Sequence, residues 1–224
     1  QELDANRLRG VPADDEGNFI ASRRWNHNEP TDFLNLRSDV VQARLEAQPA
    51  DSLSFDATLR YNDAFEEQQY HEPRGLFDSN GDGAIDATIR EFRDQVRKQK
   101  TWSFGTNAIW SADLGPISNR VLVGYDRFTG DSFFKGRSLR GTEEVTPGLP
   151  SPLSLIDPQY GLSDSSTYDQ IPFRITDTEQ SRQGVYLLEE ATTGPFVAAG
   201  GGRYDRFKDT EGATEFKDNE ITWR

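Results

Sequence analysis

Apolar and polar residues alternate along several segments of the chain. From Leu53 to Tyr61 every odd position is apolar or aromatic and every even position is polar, and residues 41–47 alternate in the same way. A period of two is that of a β-strand with one apolar and one polar face. The stretch 48–52 between the two runs contains Pro, Asp and Ser, which favour a turn. We therefore predict an antiparallel hairpin with its turn at 48–52.

The pattern recurs further along the chain. A run at 102–110 passes through a turn at 112–118 into a second strand near 121–125, and a third hairpin joins 182–192 to 196–207 through a turn at 193–195. Weaker strand-like segments lie at 18–25 and 219–224. Ile89, Phe92 and Val96 stand at helical spacing, so a short helix over 87–98 is the alternative to the strand that we favour there.

The connections between these strands alternate in length. The short turns are 48–52, 112–118 and 193–195, whereas the links at about 63–93, 135–172 and 208–218 are long and rich in Gly, Pro, Asp and Ser. Loops above about 15 residues are uncommon in compact soluble domains. Outer-membrane barrels have short periplasmic turns and long outer loops. The alternation therefore predicts one up-and-down sheet with its long loops on one side.

Alternation does not say which medium the apolar face meets, and a soluble β-sandwich would turn it inward. A hydrated lumen suits the charges on the polar face, namely Arg44, Glu46, Asp56 and Arg60. An interfacial girdle suits the aromatic residues that we place at strand ends, namely Tyr61, Trp102, Trp110, Tyr125 and Tyr204. We predict an all-β fold, an antiparallel up-and-down transmembrane β-barrel, of which this chain supplies about eight or nine strands.

Composition excludes several classes of protein. The 224 residues carry a net charge of −13, so no nucleic-acid partner is expected. The chain has no Cys, which rules out disulfide scaffolds, thiol catalysis and Cys-ligated zinc. No apolar run approaches the roughly 18 residues of a membrane-spanning helix.

The segment from Asp78 to Asp86 resembles the first half of a calcium loop. It supplies oxygen ligands at Asp78, Asn80, Asp82 and Asp86 and a Gly at the sixth position. Ile89 stands where an EF-hand needs its bidentate Glu, and Pro73 in the entering segment disfavours a helix. We slightly favour a solvated Asx/Gly-rich loop tip, and a smaller calcium-binding turn is the alternative.

Signals for catalysis are lacking. His27 and His71 lie in separate stretches, no Gly-x-Ser-x-Gly elbow is present, and Ser132-x-x-Lys135 lacks its accompanying motifs. We expect no enzyme.

Aromatic and basic residues in the predicted loops suit capture of an anionic, aromatic or hydroxamate-bearing small ligand. The candidates are Trp25, His27, Tyr70, His71, Arg74, Phe134, Arg137, Tyr160 and Tyr168, with Phe77, Phe133, Lys135 and Arg174 in the same stretches. The alternative is that loops of this length always contain some such residues.

The last fifty residues carry motifs of a known family. Gly184–Glu190 resembles the mid-barrel Gly-x-Tyr-x-Gln-Asp-Gln strand of TonB-dependent outer-membrane receptors, with Leu188 in place of the usual Gln. Gly201–Asp205 is similar to the Gly-x-Arg-Tyr-Asp of the family's next strand, and Asn219–Arg224 to the start of the one after. The segments 172–174 and 176–179 are similar to the ascent from the preceding outer loop in siderophore-type receptors. The resemblance covers about residues 35–224.

This resemblance implies a 22-stranded barrel in the outer membrane of a Gram-negative bacterium, with an N-terminal plug. Such proteins import ferric siderophores, or sometimes cobalamin or sugars, with energy passed through TonB, and iron enters only within its chelator. The chain begins at Gln1 and shows neither a plug nor a TonB box, so we expect an internal piece or a trimmed mature chain, with transport belonging to its parent. Two alternatives stay open, namely a secreted β-sandwich or calcium-stabilised binding module, and an uncoupled outer-membrane channel.

Overall fold

The chain folds almost entirely into β-strands. The computed structural model describes residues 2–5, 10–14 and 16–223. Within these residues the strands are β1 Glu2–Ala5, β2 Phe33–Ala50, β3 Leu53–Phe77, β4 Ala87–Leu114, β5 Ile117–Arg140, β6 Leu153–Ser154, β7 Arg174–Thr193, β8 Phe196–Glu211 and β9 Thr214–Trp223. One 3-10 turn at Ser165–Thr167 interrupts the connection after β5. In this part of the chain no helix is long and apolar enough to cross a membrane.

Strands that follow one another in sequence are neighbours in a single sheet. The order is β1-β2-β3-β4-β5-β7-β8-β9, and the two-residue β6 pairs with β4 instead. The β7–β8 register runs without interruption from Thr178↔Glu211 to Thr193↔Phe196, and both strands are antiparallel. The all-β, up-and-down prediction with eight or nine strands is confirmed.

The chain divides into two compact units. The first unit comprises Gln1–Arg37, Phe65–Arg97 and Phe134–Ile175, and the second comprises Ser38–Ala64, Lys98–Phe133 and Thr176–Arg224. The short turns between β2 and β3, between β4 and β5, and between β7 and β8 belong to the second unit. The longer connections 78–86 and 141–173 belong to the first.

Many apolar side chains of the second unit are exposed. Val41 is 67% exposed, Trp102 51% and Phe196 73%, although each is large and apolar. A β-sandwich would bury such side chains against a second sheet, and the described residues form only one sheet. The sandwich alternative is therefore wrong. The tyrosine and tryptophan rings still associate, since those of Tyr61 and Trp102 lie 4.6 Å apart.

Several strands extend well beyond the alternating pattern. β3 continues to Phe77 and β4 begins at Ala87, so the predicted long loop 63–93 shrinks to residues 78–86 and the helical alternative over 87–98 is wrong. β5 likewise runs to Arg140, which shortens the predicted loop 135–172 at its start. Tyr61 and Trp102 consequently lie inside long strands rather than at strand ends. The sequence missed these extensions because polar and apolar residues no longer alternate regularly there.

Two further sequence predictions need correction. A two-residue turn joins β8 to β9, with Glu211 pairing Thr214, so the predicted long loop 208–218 is wrong. Gly212 makes this turn with a φ of 56°, which a residue with a side chain rarely adopts. The segment 18–25 forms only the isolated bridge Ala13↔Phe19. The strand at 219–224 is confirmed as far as Trp223, and Arg224 lies outside the described residues.

Candidate functional site

Polar side chains occupy most of the interior of the first unit. The buried apolar cluster there is small, with Trp25, Leu153 and Leu155 at its centre. The buried polar or charged residues are His27, Asn28, Glu29, Asp32, Gln68, His71, Glu72, Thr88, Arg90, Glu91, Gln95, Ser151 and Ser163. Because buried polar groups destabilise a fold unless they are paired, their partners define how this unit is built.

His71 on β3 joins three segments of the first unit. Its backbone N–H donates to Asp32 Oδ2 at 2.8 Å, and its Nδ1 lies 2.9 Å from Asp32 Oδ1. Its Nε2 lies 2.5 Å from the hydroxyl of Tyr168. A carboxylate only accepts hydrogen bonds, so Nδ1 donates to it and Nε2 accepts from the Tyr168 O–H. Asp32, β3 and the connection 141–173 are thereby held together.

Arg90 on β4 is a second junction and is completely buried. Its Nη2 lies 2.6 Å from Glu29 Oε1 in an ion pair whose two side chains are 0% and 1% exposed. Its Nε donates to the carbonyl of Ser151 at 2.8 Å, and its Nη2 also donates to Ser163 Oγ at 2.7 Å. Its Nη1 donates to the carbonyl oxygen of His27 at 3.3 Å. One guanidinium therefore contacts both the segment before β2 and the connection 141–173.

Burial raises the pKa of the Tyr168 hydroxyl to about 12. A phenol with a pKa raised from 10.0 stabilises the fold fully below pH 10, and this stabilisation is lost as the pH rises towards about 12. We expect proteolysis of the 141–173 connection to increase within that window in the wild-type protein. Tyr168→Phe should show no such phase and a smaller, pH-independent loss of protection. An identical alkaline transition in both proteins would contradict this assignment.

The predicted ligand residues fall into two groups. Trp25, His27, Tyr70, His71 and Tyr168 are buried. Arg74, Phe134, Arg137 and Tyr160 are partly or fully exposed, and the Tyr160 hydroxyl donates to the carbonyl of Asn26 at 2.9 Å. Contact between these side chains and a ligand remains a prediction.

The sequence did not indicate Glu29, Asp32, Arg90, Ser151 or Ser163. The residues of this network come from distant segments, so no local spacing connects them. The weak signal present is the two-residue spacing of Thr88, Arg90 and Phe92, which places all three on one side of a strand.

Four charged side chains lie on the side of β3 and β4 that is opposite to His71 and Arg90, and their ion pairs form a closed ring. Arg74 Nε lies 2.8 Å from Glu91 Oε2 and its Nη2 2.9 Å from Glu72 Oε1. Arg93 Nε lies 2.7 Å from Glu72 Oε1 and its Nη2 2.9 Å from Glu91 Oε1. We call Glu72, Arg74, Glu91 and Arg93 the charge square. Each arginine contacts both carboxylates.

Arg137 and Lys135 share an aromatic neighbour. The Lys135 ammonium lies 4.2 Å and the Arg137 guanidinium carbon 4.7 Å from the centroid of the Phe173 ring. Arg137 also pairs with Asp94, its Nε 3.0 Å from Oδ2. These contacts attach the end of the 141–173 connection to β5.

The candidate calcium turn holds itself together through its own amides. Asp78 accepts hydrogen bonds from the backbone N–H groups of Gly81 and Gly83 at 2.8 and 2.7 Å, and these bonds lower its carboxyl pKa. Asp86 accepts from Ser79 N at 2.7 Å. In the described part of the chain no group of three His, Cys, Asp or Glu side chains is placed to hold a metal. Calcium binding by Asp78, Asn80, Asp82 and Asp86 remains a prediction.

Calcium can be tested through the protease sensitivity of this turn. If calcium binds, added calcium should slow cleavage within 78–86 in the intact protein, because the carboxylate oxygens would coordinate the ion in place of their amide hydrogen bonds. Asp82→Asn should weaken the protection. Cleavage that is unchanged by saturating calcium would remove the calcium turn and leave the solvated loop tip.

A polar network spans the second unit. The Tyr186 hydroxyl donates to Asn107 Oδ1 at 2.6 Å, and Arg203 lies over the Tyr186 ring with 5.2 Å between its guanidinium carbon and the centroid. Arg203 pairs with Asp126 through Nη1–Oδ2 and Nη2–Oδ1 bonds of 2.7 and 3.0 Å, and with Asp205 through Nε. Tyr186, Arg203 and Asp205 belong to the motifs recognised in the sequence, and the structure brings them together.

Comparison with known proteins agrees with this architecture. A family model described as TonB dependent receptor-like, beta-barrel, matches residues 2–224. The chain belongs to the TonB-dependent receptor β-barrel family. No curated protein matches it at the level of sequence.

Solved receptors of this kind share the fold. The siderophore receptor PiuA from Acinetobacter baumannii has a TM-score of 0.74 at 15% identity, covering 99% of this chain and 35% of that one. The ferric-catecholate import receptor Fiu from E. coli K12 has a TM-score of 0.73 at 12% identity, covering 99% of this chain and 40% of that one. The ferric citrate transporter FecA in its unliganded form has a TM-score of 0.63 at 13% identity, covering 98% of this chain and 28% of that one. The chain therefore spans between about a quarter and two fifths of the length of these receptors.

Proposed function

We propose that this chain is part of an outer-membrane transporter that takes up a ferric siderophore or a similar small nutrient with energy from the TonB complex. The family assignment supports the general class. Binding and gating would carry out the transport, with no covalent chemistry, and iron would enter only as the chelated cargo.

The observation that carries the proposal is the outward apolar surface of the second unit. The exposed fractions of Val41, Leu45, Trp102, Val185 and Trp223 lie between 49% and 77%, as a lipid-facing strand surface requires. Alternate positions carry the polar network around Tyr186 and Arg203. A water-soluble protein would not leave so much apolar surface uncovered. Outer-membrane lipid is the partner that fits this surface.

The proposal also includes parts of the transporter that lie outside this chain. The relatives' greater length leaves room for the further strands of a 22-stranded barrel and for a plug through which TonB would act. Ligand contacts within this chain would come from exposed groups of the first unit, such as Arg74, Phe134, Arg137 and Tyr160. The buried His27, His71 and Tyr168 would hold the segments around these groups in place.

Uptake by whole cells tests the proposal. The gene that encodes the chain is deleted from its host, and uptake of radiolabelled iron is followed with a panel of siderophores under iron limitation. Loss of uptake for one chelate, restored by the intact gene, is the expected result. Unchanged uptake of every chelate would reject the iron function.

The dependence on energy separates a receptor from an uncoupled channel. The same uptake measured in cells without TonB should fall to background if the parent is an energised receptor. Uptake that persists without TonB would favour the channel. Fractionation checks the location, since the intact protein should be recovered with outer membranes and require detergent for extraction.

A further inference from the structure

We propose that the charge square is an anion-recognition site and that it makes this receptor selective for anionic ferric chelates, bound through carboxylate or catecholate oxygens, over neutral hydroxamate chelates. The inference rests on the proposed function, and it concerns Arg74 and Arg93 above all.

The first argument is the difference in exposure between the two signs of charge. The side chains of Glu72 and Glu91 are 5% and 12% exposed, whereas those of Arg93 and Arg74 are 24% and 37% exposed. The square is neutral in total, but the acids lie beneath and the guanidinium groups reach solvent. A ligand approaching from solvent therefore meets the cations first.

The second argument is the donor capacity that remains on these arginines. Each guanidinium has five N–H donors, and the four ion-pair contacts involve only Nε and Nη2 of each residue. Arg93 Nε lies near Glu72 but has no aligned hydrogen-bond partner among the described residues. Planar donor pairs of this kind match the two oxygens of a carboxylate or catecholate. Nη1 of each arginine, which none of these four contacts uses, is therefore the donor group that remains for such a ligand.

The third argument is the presence of a further cation beside an aromatic ring. Arg97 Nη1 lies 3.6 Å from Glu66 Oε1, and its guanidinium carbon is 5.5 Å from the centroid of Phe134. Its side chain is 51% exposed. An aromatic chelate can stack on exposed guanidinium groups and on such a ring. A neutral hydroxamate offers neither the charge nor the paired anionic oxygens.

Removing one arginine and removing one acid should have different consequences. In an anion site, Arg93→Gln should weaken binding of an anionic chelate by roughly ten- to a hundredfold, the usual effect of losing charge-assisted hydrogen bonds. Glu91→Gln should leave that binding unchanged or make it tighter, because the guanidinium groups lose a competing carboxylate. A purely structural square would be damaged by either change.

The experiment measures equilibrium binding of the intact receptor in detergent to ferric citrate, a ferric tris-catecholate and a neutral ferric tris-hydroxamate. The variants are Arg93→Gln, Glu91→Gln and the control Arg182→Gln, whose arginine lies on β7 and pairs with Asp209 in the second unit. The expected result is a loss confined to Arg93→Gln and to an anionic chelate, and this binding should weaken as salt is raised.

Each of the other outcomes would reject the anion site, the selectivity or the proposed function. Equal losses for all chelates, or a loss with Glu91→Gln as large as with Arg93→Gln, would overturn the anion site and leave a structural cluster. Wild-type receptor that binds only the neutral chelate would overturn the selectivity while the uptake function stands. Wild-type receptor that binds no ferric chelate would overturn the proposed function itself.

Discussion

Replacing Arg90 with methionine should release the 141–173 connection and the segment before β2 from the first unit. Arg90 is completely buried, and its ion pair with Glu29 joins those segments together with bonds to Ser151 and Ser163. Removing one partner of a buried pair typically costs about 3–5 kcal/mol, because the other charge stays behind without compensation. At 1.4 kcal/mol per factor of ten, local opening should rise by roughly a hundred- to a few thousandfold.

Hydrogen–deuterium exchange of the intact receptor measures this opening directly. Peptides covering 25–32 and 150–168 should exchange much faster in Arg90→Met, while peptides covering β7 and β8 should not change. The control is Arg140→Met, since Arg140 is an exposed arginine of the same unit. If these peptides exchange in Arg90→Met at the same rate as in the wild-type protein, the guanidinium does not hold these segments.

Two further variants separate charge from geometry. Arg90→Lys keeps the positive charge but replaces a planar fork by a single ammonium group, so it should protect these segments only in part. The double variant Arg90→Met with Glu29→Leu removes both charges and should be less damaging than Arg90→Met alone.

Adding a single methyl group at Gly124 should disturb the second unit strongly. A Cβ at this position would lie 2.1 Å from Cζ and 2.4 Å from the hydroxyl oxygen of Tyr186, closer than any allowed contact. The Tyr186 ring would have to leave β5, and its hydrogen bond to Asn107 and its contact with Arg203 would be lost. Overpacking of this kind usually costs about 1–3 kcal/mol, and we expect Gly124→Ala to lie at the upper end.

Urea unfolding in lipid vesicles measures the cost, and resistance to SDS before heating reports the folded fraction. Gly105→Ala on the neighbouring strand is a matched control, because nothing lies within 4 Å of a Cβ built there. In a Tyr186→Ala background the Gly124→Ala change should cost little, since the ring that it displaces is gone. Equal costs with and without the ring would contradict the proposed contact.

The sequence alone determined the strands of the second unit with good accuracy. The turns predicted at 48–52, 112–118 and 193–195 contain the observed ones, and the alternation around Leu53–Tyr61 identified the apolar side correctly. This information is local, because a strand that meets an apolar medium on one side must alternate residue by residue. The motifs around Tyr186 and Arg203 were recognisable, but their contacts with Asn107 and Asp126 were not.

Only the tertiary structure decided how far the strands continue and what the first unit contains. From residue 63 to Phe77 polar and apolar residues are mixed on both sides of β3, so the alternation that defines a strand in sequence stops although the strand continues. The partners of Arg90 and His71 lie between 39 and 97 residues away along the chain. Hydrogen bonds and ion pairs between such distant side chains have no period, and only folding brings their donors and acceptors within reach of each other.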